Sequence, residues 1–354
     1  MNFHACGRLR LGEARFKTIL SQLRKGAVIL LKVELTMRFP LYVIAILFPV
    51  ALQAQTFPIS AGYATPQPID VSPGQVITIF AKIPGRQPTA SVAAPAPLPS
   101  TLGGFTVLLR QTFIDPISIP ILSVSDAQSC SNLMPPQCEV VSQITVQIPF
   151  ELMPNNPHLS LPENFARLEV SYNGTQTSSL FLNPLPDSIH VLNSCDPAAG
   201  LPAAASCVPM VAHSNGSFVT SDNPARVGET VTMSLVGMGQ PAGLVTTGIA
   251  TPAGSPTLDG VLIGYDARVN ASASLLAPTA AFPIQSAQLR TGAVGIYDIP
   301  ILIPALPAGV GACSNIVRSN LTVNIRRTTS FDGVGICVTP TPQQAGLSGR
   351  IVVK

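Results

Sequence analysis

Leaving aside Cys6 near the N-terminus, six of the seven cysteines are the residues whose type and spacing most directly imply chemistry. They form three couples that are close in the sequence: Cys130 with Cys138, Cys195 with Cys207, and Cys313 with Cys337. Zinc-binding cysteines are usually separated by only about two to four residues, and the cysteines of these couples lie further apart. Six cysteines allow many connectivities, but pairing within each couple is the simplest. The pattern therefore favours three disulfides and an oxidising compartment over a metal site.

Histidines and serines form no recognisable catalytic pattern. His158, His190 and His213 do not lie at the helical spacing of a zinc-binding pair. His158 and His213 lie next to turn-forming residues, and both are predicted to be surface turn residues. The segment 346–349 lacks the glycine spacing and the strand-to-helix context of a nucleophile elbow. The sequence therefore predicts no catalytic residue.

Acidic, glycine-rich and aromatic segments likewise indicate no metal, cofactor or sugar site. The carboxylates are dispersed, whereas a calcium loop needs several acidic oxygens close together. Asp332 precedes Gly333 and is predicted to lie in a turn. The stretch 237–243 contains no lysine and is predicted to be a turn that its glycines permit. The chain has no tryptophan, and Tyr172 is predicted to lie in the core, which weakens the case for carbohydrate recognition.

Alternating apolar and polar residues predict antiparallel strands with one buried face. Apolar residues occupy every second position in four segments: 144–148, 168–172, 231–235 and 321–325. The intervening polar residues, among them Thr145, Gln147 and Asn324, are predicted to face solvent. The 35 prolines and 27 glycines leave little room for long helices. Together these features predict an all-β fold.

Three pairs of similar segments indicate an internal duplication. Residues 72–78 resemble 226–232, residues 144–149 resemble part of 297–304, and residues 168–170 resemble 321–323. The three offsets are nearly equal, at about 154 residues, as a tandem repeat requires. With the short strands and frequent turn signals, the repeat predicts two tandem Ig-like β-sandwich domains.

Composition and charge exclude several classes of protein. Charged residues make up 10% of the chain and hydrophobic residues 46%, a combination that excludes intrinsic disorder. Eight of the 20 basic residues lie within residues 1–54, and the rest of the chain has 12 basic and 15 acidic residues. This remainder has no dense basic stripe, so no nucleic-acid partner is expected.

The segment 37–54 has the composition of a signal peptide. Arg38 precedes about a dozen apolar residues, and Ala54 supplies the small residue at the end. The apolar run is shorter than the roughly 20 residues that span a bilayer. We expect a secreted or cell-surface protein without a membrane span in the mature chain. Residues 1–36 are predicted to be a mis-assigned extension before a start at Met37, and the alternative is a long leader that is also cleaved.

Eight segments, spread in order over most of the chain after the signal, share a pattern with one family. They are Val71–Gln75, Leu98–Val107, Ser142–Glu151, His213–Ser217, Asn223–Ala225, Gly228–Glu229, Gly237–Gly239 and Gly295–Tyr297. In these segments the chain resembles the uncharacterised C-terminal domain of secreted acidobacterial proteins of the Solibacter type. The resemblance implies export and a pair of β-sandwiches, and it implies no activity and no catalytic residue. The cysteine couples are not part of that family's pattern.

The repeat sets the expected domain boundaries. A first β-sandwich is predicted over residues 57–185 and a second over 211–354. The Pro/Ala-rich residues 186–210 between them are predicted to be a connection stapled by Cys195 and Cys207. Residues 88–97 are predicted to be a low-complexity loop between strands.

These features predict a secreted protein that is not an enzyme and needs no cofactor. We expect it to be an interaction or adhesion module that binds an extracellular protein or polymer through loops and strand edges. Two alternatives stay open at this point. One is a secreted hydrolase assembled from the dispersed carboxylates, and the other is a structural spacer of an envelope assembly.

Overall fold

Short strands make up almost all of the regular structure in the computed structural model. It describes residues 55–60, 63–64, 68–83, 86–112, 114–130, 138–155, 166–201, 206–255, 257–275, 280–281 and 287–340. In these ranges the helical structure is one 3₁₀ turn, Pro197–Ala199, and no helix there has the length and apolar character to cross a membrane. The all-β prediction is confirmed. The predicted extension (1–36), signal peptide (37–54), His158 and the segment 346–349 lie outside the described residues.

The first half of the described chain contains twelve strands. They are β1 Gln55–Ser60, β2 Tyr63–Ala64, β3 Ile69–Val71, β4 Val76–Lys82, β5 Val92–Ala93, β6 Thr101–Leu102, β7 Phe105–Gln111, β8 Ile114–Ser118, β9 Ile121–Cys130, β10 Cys138–Gln147, β11 Ala166–Tyr172 and β12 Thr175–Pro184. One sheet has the order β2-β1-β4-β10-β9-β5, and the other has the order β3-β12-β11-β7-β6 with β8 paired to β7. Side chains from both sheets, including Ile79, Ile144, Val107 and Leu168, share one core, so the sheets form a sandwich.

The second half contains a further twelve strands within the described ranges. They are β13 His190–Val191, β14 Val211–Ala212, β15 Ala225–Arg226, β16 Thr230–Val236, β17 Thr257–Leu258, β18 Leu262–Asp266, β19 Ala280–Ala281, β20 Ala287–Leu289, β21 Tyr297–Leu302, β22 Leu321–Arg326, β23 Phe331–Ile336 and β24 Val338–Thr339. One sheet has the order β13-β16-β21-β20-β17 with β14 paired to β16, a second has the order β19-β18-β22-β23, and β15 pairs with β24. Met233, Ile299 and Val323 are among the residues that connect the two larger sheets in one core.

The outer face of β10 differs from the prediction. Thr145 and Gln147 were expected to face solvent, but both are buried because the second half of the chain packs against this face. Gln147 accepts a hydrogen bond at Oε1 from the N–H of Gly248 at 2.7 Å. On the neighbouring strand β4, Val76 belongs to a core cluster with Leu192, Ala198 and Met210 of the segment 186–210 and with Val236 and Ile296 further along the chain. The halves therefore share buried apolar and polar contacts, and their described residues belong to one compact unit.

The outer face of β22 is covered as well, so the expected exposure of Asn324 is also wrong. The segment 267–275 crosses this face and buries Asn324 and Thr322. The Thr322 hydroxyl donates to the carbonyl of Ala271 at 2.7 Å, and the N–H of Ser274 donates to Asn324 Oδ1 at 3.2 Å. Alternation correctly identified the inward residues, but it does not show what covers the other face of a sheet.

The predicted turn at Asp332 and Gly333 lies instead inside strand β23. The turn that connects β22 and β23 is formed by residues 327–330, where the N–H of Arg327 donates to the carbonyl of Ser330 at 3.1 Å. Gly333 has a packing role in the strand, because a Cβ atom there would lie 2.6 Å from the Cβ of Ala273. The absence of a side chain at Gly333 thus permits the segment 267–275 to lie close to the sheet.

Strand pairings recur between the two halves. The antiparallel pair β4–β10 has a counterpart in β16–β21, and β11 between β7 and β12 has a counterpart in β22 between β18 and β23. The turn before each leading strand also recurs. The N–H of Gly74 donates to the carbonyl of Ile148 at 3.1 Å, and the N–H of Gly228 donates to the carbonyl of Ile303 at 2.9 Å. The sequence offset of about 154 residues thus connects positions with equivalent backbone contacts.

The connection between the halves packs against both of them. Strand β13 pairs with β16, Cys195 is bonded to Cys207, and Leu192 and Met210 are buried.

The segment 88–97, predicted to be a loop, contains the short strand β5, which pairs with β9. Its N-terminal side is fixed by Arg86, whose guanidinium lies 3.3 Å from the Asp126 carboxylate.

Candidate functional site

Two of the three predicted cysteine couples are joined in the structure. Cys195 is bonded to Cys207, and Cys313 is bonded to Cys337. In the third couple, the register of β9 and β10 places Cys130 directly opposite Cys138, while their side chains lie outside the described part of the chain. The bond between Cys313 and Cys337 anchors an exposed loop.

Residues 313–318, which we call the stapled loop, present an apolar side chain to solvent. Its first residue, Cys313, is bonded to the buried Cys337 beside β24. A tight turn follows, in which the N–H of Ser314 donates to the carbonyl of Val317 at 2.8 Å and the N–H of Val317 donates to Ser314 Oγ at 3.2 Å. Ile316 lies at the tip of this turn and is 89% exposed. A large aliphatic side chain is therefore held in water by a cross-linked and hydrogen-bonded turn.

A neighbouring turn extends this apolar surface. The N–H of Asn270 donates to the carbonyl of Ser319 at 2.8 Å, and the N–H of Ser319 donates back to Asn270 Oδ1 at 2.9 Å. These two bonds fix the turn after β18 to the end of the stapled loop. Val269 on that turn is 47% exposed, and Arg318 at the end of the loop is exposed. The structure thus brings apolar and basic side chains from two separate sequence segments to one end of the second half.

His190 is the centre of a buried ionic cluster that the sequence did not reveal. Its Nε2 lies 3.1 Å from Asp196 Oδ2, and its Nδ1 lies 3.3 Å from Asp332 Oδ2. The His190 side chain is only 6% exposed. Burial lowers the pKa of His190, but the hydrogen bonds to Asp196 and Asp332 outweigh it, so the net pKa lies above 6.5. His190 has a carboxylate at each ring nitrogen and little exposure. It therefore connects β13 to Asp196 on one side and to Asp332 of β23 on the other.

Asp187 binds the turn between β22 and β23. Its carboxylate accepts hydrogen bonds from the backbone N–H groups and hydroxyls of three consecutive residues: Thr328, Thr329 and Ser330. Burial raises the pKa of this carboxyl, but the hydrogen bonds outweigh that effect and lower the net pKa below 3.8. The sequence showed Asp187 only as one of several dispersed carboxylates.

Side chains of this turn and of β23 also satisfy the backbone of the connection. The N–H of Ile189 donates to Ser330 Oγ at 2.9 Å, and the N–H of Val191 donates to Asp332 Oδ2 at 2.8 Å. These two donors lie two residues apart, as on one edge of a strand. The polar residues around His190 and Asp187 therefore substitute for a strand partner and attach the connection to β23.

Unfolding of the protein is expected to depend on the charge of His190. A histidine whose pKa is raised in the folded state stabilises the fold fully below its unfolded pKa of about 6.5. That contribution is lost as the pH rises through the higher folded value. We predict that the free energy of unfolding, measured with urea, falls as the pH rises above about 6.5. The variant His190→Gln should lose most of this dependence, whereas His213→Gln should keep it; an unchanged slope in His190→Gln would contradict the assignment.

His213 lies in the turn that the sequence predicted, but it is not the surface residue expected there, because its side chain is only 11% exposed and its ring makes defined contacts. Nδ1 lies 2.6 Å from Glu229 Oε1, and Nε2 lies 3.2 Å from the carbonyl oxygen of Asn223. Burial raises the pKa of Glu229, yet the hydrogen bond to His213 and the N–H of Arg226 bring it below 4.5. The pair joins the loop after β14 to the turn before β16.

Other charged side chains in the described ranges also form ion pairs that connect separate parts of the fold. The Arg86 guanidinium lies 4.9 Å from the centre of the Tyr172 ring and 5.1 Å from that of Phe105, and it contacts Asp126. Arg290 contacts Asp298 at 2.7 Å. Within the ranges that the structure describes, no three His, Cys, Asp or Glu side chains are arranged to hold a metal ion.

Comparison with known proteins identifies no relative for this chain. No protein-family model matches it, and no curated protein matches it. The resemblance to the Solibacter-type domain therefore stays a prediction. Sequence reasoning found two of the disulfides, Cys195–Cys207 and Cys313–Cys337, but missed the stapled loop as a surface, since nothing in the spacing shows that Ile316 points into solvent. It also missed His190, whose two carboxylate partners lie 6 and 142 residues away.

Proposed function

We propose that this protein is exported and works outside the cell as a non-catalytic binding module. The observation that carries the proposal is Ile316, an aliphatic side chain 89% exposed at the tip of the stapled loop. Burying such a side chain in a partner releases about 1.5–3 kcal/mol of hydrophobic free energy. Because the disulfide and the turn hydrogen bonds already fix the loop, little conformational entropy is lost on binding. A rigid apolar tip is the kind of anchor that protein interfaces use.

Export is supported by the disulfides and by the signal-like segment 37–54. Disulfides persist mainly in oxidising compartments, and two are present among the described cysteines. The partner we propose is a protein at the surface of the producing cell, with an apolar pocket for Ile316. Carboxylates at the rim of that pocket would complement Arg318.

We further propose that the chain consists of two tandem Ig-like sandwiches derived by duplication. Support comes from the recurrent pairings of β4–β10 and β16–β21, and from the equivalent turns at Gly74 and Gly228. In this proposal the copies have diverged in role. The outer face of β4 and β10 in the first copy is used for packing against the second, which leaves the far loops of the second copy for binding.

A binding experiment on whole cells tests the proposed function. Labelled protein should bind producing cells saturably, and Ile316→Asp should reduce the affinity at least about tenfold, because a charge replaces the buried anchor. Leu244→Asp is the matched control, since Leu244 is also fully exposed but lies in the loop after β16, a segment separate from the stapled loop. Absence of saturable binding, or equal loss in both variants, would refute the proposal.

A further inference from the structure

Four segments of the chain have the Asn-x-Ser/Thr pattern of an N-glycosylation acceptor, and the structure gives their asparagines different surroundings. These asparagines are Asn173, Asn215, Asn270 and Asn320. Asn320 is fully buried, and its Nδ2 donates to the carbonyls of Gly311 at 3.0 Å and Val338 at 2.6 Å. Its amide nitrogen is therefore inaccessible to an enzyme, so the pattern alone does not decide which asparagine can react.

Asn215 lies in an exposed turn after β14. The N–H of Gly216 donates to the carbonyl of His213 at 2.9 Å, and the N–H of His213 donates to the carbonyl of Ser217 at 2.9 Å. A Cβ atom at Gly216 would meet nothing within 4 Å, so the space around the turn is open. Both hydrogen bonds of the Asn215 side chain are accepted by Oδ1, and within the described ranges Nδ2 has no partner.

Ser217 supplies both of the donors that contact the Asn215 amide. Its N–H donates to Asn215 Oδ1 at 3.0 Å, and its hydroxyl donates to the same oxygen at 2.7 Å. A turn at an asparagine needs only the backbone bond. The hydroxyl is the group that the acceptor pattern requires two residues after the asparagine, and here it already points at the amide.

Asn223 fixes the direction in which the Ser217 hydroxyl donates. Its Nδ2 donates to Ser217 Oγ at 3.1 Å. Because a serine hydroxyl has a single proton, the oxygen that accepts from Asn223 has that proton free for Asn215. The carbonyl of Asn223 lies 3.2 Å from His213 Nε2, and Nδ1 of the same ring lies 2.6 Å from Glu229 Oε1. Asn223 is therefore a positioning residue.

We propose that Asn215 is the acceptor of an N-linked saccharide, which a transferase adds from a lipid diphosphate carrier. A bond forms between C1 of the sugar and Nδ2, the bond from C1 to the diphosphate oxygen breaks, and Nδ2 gives one proton to a base of the transferase. An amide nitrogen is a weak nucleophile, because its lone pair is delocalised into the carbonyl. The two donors of Ser217 stabilise the negative charge that Oδ1 gains as Nδ2 loses its proton.

The described surroundings of the other exposed asparagines do not include this arrangement. Asn270 Oδ1 accepts from the backbone N–H of Ser319 at 2.9 Å, and no bond joins it to the hydroxyl of Ser272 in the described part of the chain. Asn173 is exposed, but the side chain of Thr175 lies outside the described residues. Asn215 is therefore the acceptor that the geometry supports.

Peptide mass spectrometry of the natively produced protein tests the site. The peptide that contains Asn215 should carry a saccharide, and the peptide that contains Asn320 should carry none. Ser217→Ala should abolish the modification, whereas Ser217→Thr should keep it, because threonine supplies the same hydroxyl. Circular dichroism and thermal unfolding confirm that each variant is folded.

A variant outside the pattern separates the folded geometry from the bare sequence motif. Asn223→Ala leaves residues 215–217 intact, and it should lower the modified fraction about two- to tenfold, the effect of one hydrogen bond. Asn155→Ala is the matched control, because the amide of Asn155 also donates to a side chain, Asn183 Oδ1 at 3.2 Å, but in the first half of the chain. This control should leave the modified fraction unchanged.

The inference rests on the proposed export of the protein, and the results distinguish the two. An unmodified Asn215 in a chain that begins near Gln55 would refute the acceptor site and leave export intact. A saccharide retained in Ser217→Ala would also refute it, and an unchanged modified fraction in Asn223→Ala would overturn the positioning role. A chain that retains Met1 would instead contradict export, and with it the proposed function.

Discussion

Replacing Gly237 by alanine is expected to lower the free energy of unfolding by about 3–4 kcal/mol. Gly237 follows β16 with a φ of 78°, and a Cβ atom there would lie 1.8 Å from the carbonyl oxygen of Ser188. That oxygen also accepts a hydrogen bond from Gln75 Nε2 at 3.1 Å, so it is fixed by the first half of the chain. The alanine side chain would therefore clash with the connection at Ser188, where the connection contacts both halves. Urea unfolding followed by circular dichroism measures the effect.

Gly228→Ala is the control that separates backbone strain from the clash. Gly228 has a φ of 82°, nearly that of Gly237, but a Cβ atom there would meet nothing within 4 Å. Its substitution should cost only about 1–2 kcal/mol, because only the left-handed backbone conformation is penalised. Equal losses in the two variants would mean that the connection does not pack against Gly237 as described.

Replacing Asp187 by asparagine is expected to destabilise the protein by about 3–4 kcal/mol at neutral pH. The amide would lose the charge that accepts hydrogen bonds from Thr328, Thr329 and Ser330, and its NH₂ group would face some of the same donors. Donors left without an acceptor cost about 1–3 kcal/mol each when buried, and the partial exposure and rearrangement of this turn limit the total. The exposed Asp259 supplies the control, and Asp259→Asn should change stability by less than about 0.5 kcal/mol.

Acid unfolding provides a second readout for Asp187. A carboxyl whose pKa is lowered in the folded state stabilises the protein above its unfolded pKa, and this contribution is lost as the pH falls through the folded value. The parent chain should therefore lose stability as the pH falls below about 4, while Asp187→Asn should lose less over the same range. Parallel pH profiles of the two proteins would contradict the contribution assigned to Asp187.

The sequence was sufficient to predict strands and their inward residues. Ile144, Val146, Leu168 and Met233 all lie in the cores, because a period of two specifies one buried face whatever the rest of the chain does. The same period cannot show that Gln147 is buried, since the covering residue, Gly248, lies about a hundred residues away. Burial of the second face is a property of the tertiary arrangement, and alternation contains no information about it.

The candidate sites were less predictable than the fold. Cysteine spacing identified the bond between Cys313 and Cys337, because short-range pairing is a local property. The exposure of Ile316 depends on how the stapled loop lies on the folded chain, which cysteine spacing does not show. The Asp332–Gly333 pair has residue types that are common in turns. Its backbone pairs with β22 instead, because a strand partner outweighs the local residue preference.

The mass of the intact, natively produced protein, with and without reduction and with alkylation of free thiols, tests the central claim of an exported and stapled binding module. The account predicts a chain that begins near Gln55 and has no free thiol until it is reduced, with six cysteines then alkylated. The proposed binding surface at Ile316 depends on this result, because it is directed at a partner outside the cell. A chain that retains Met1 and carries free thiols at Cys313 and Cys337 would contradict export, and with it the proposed function.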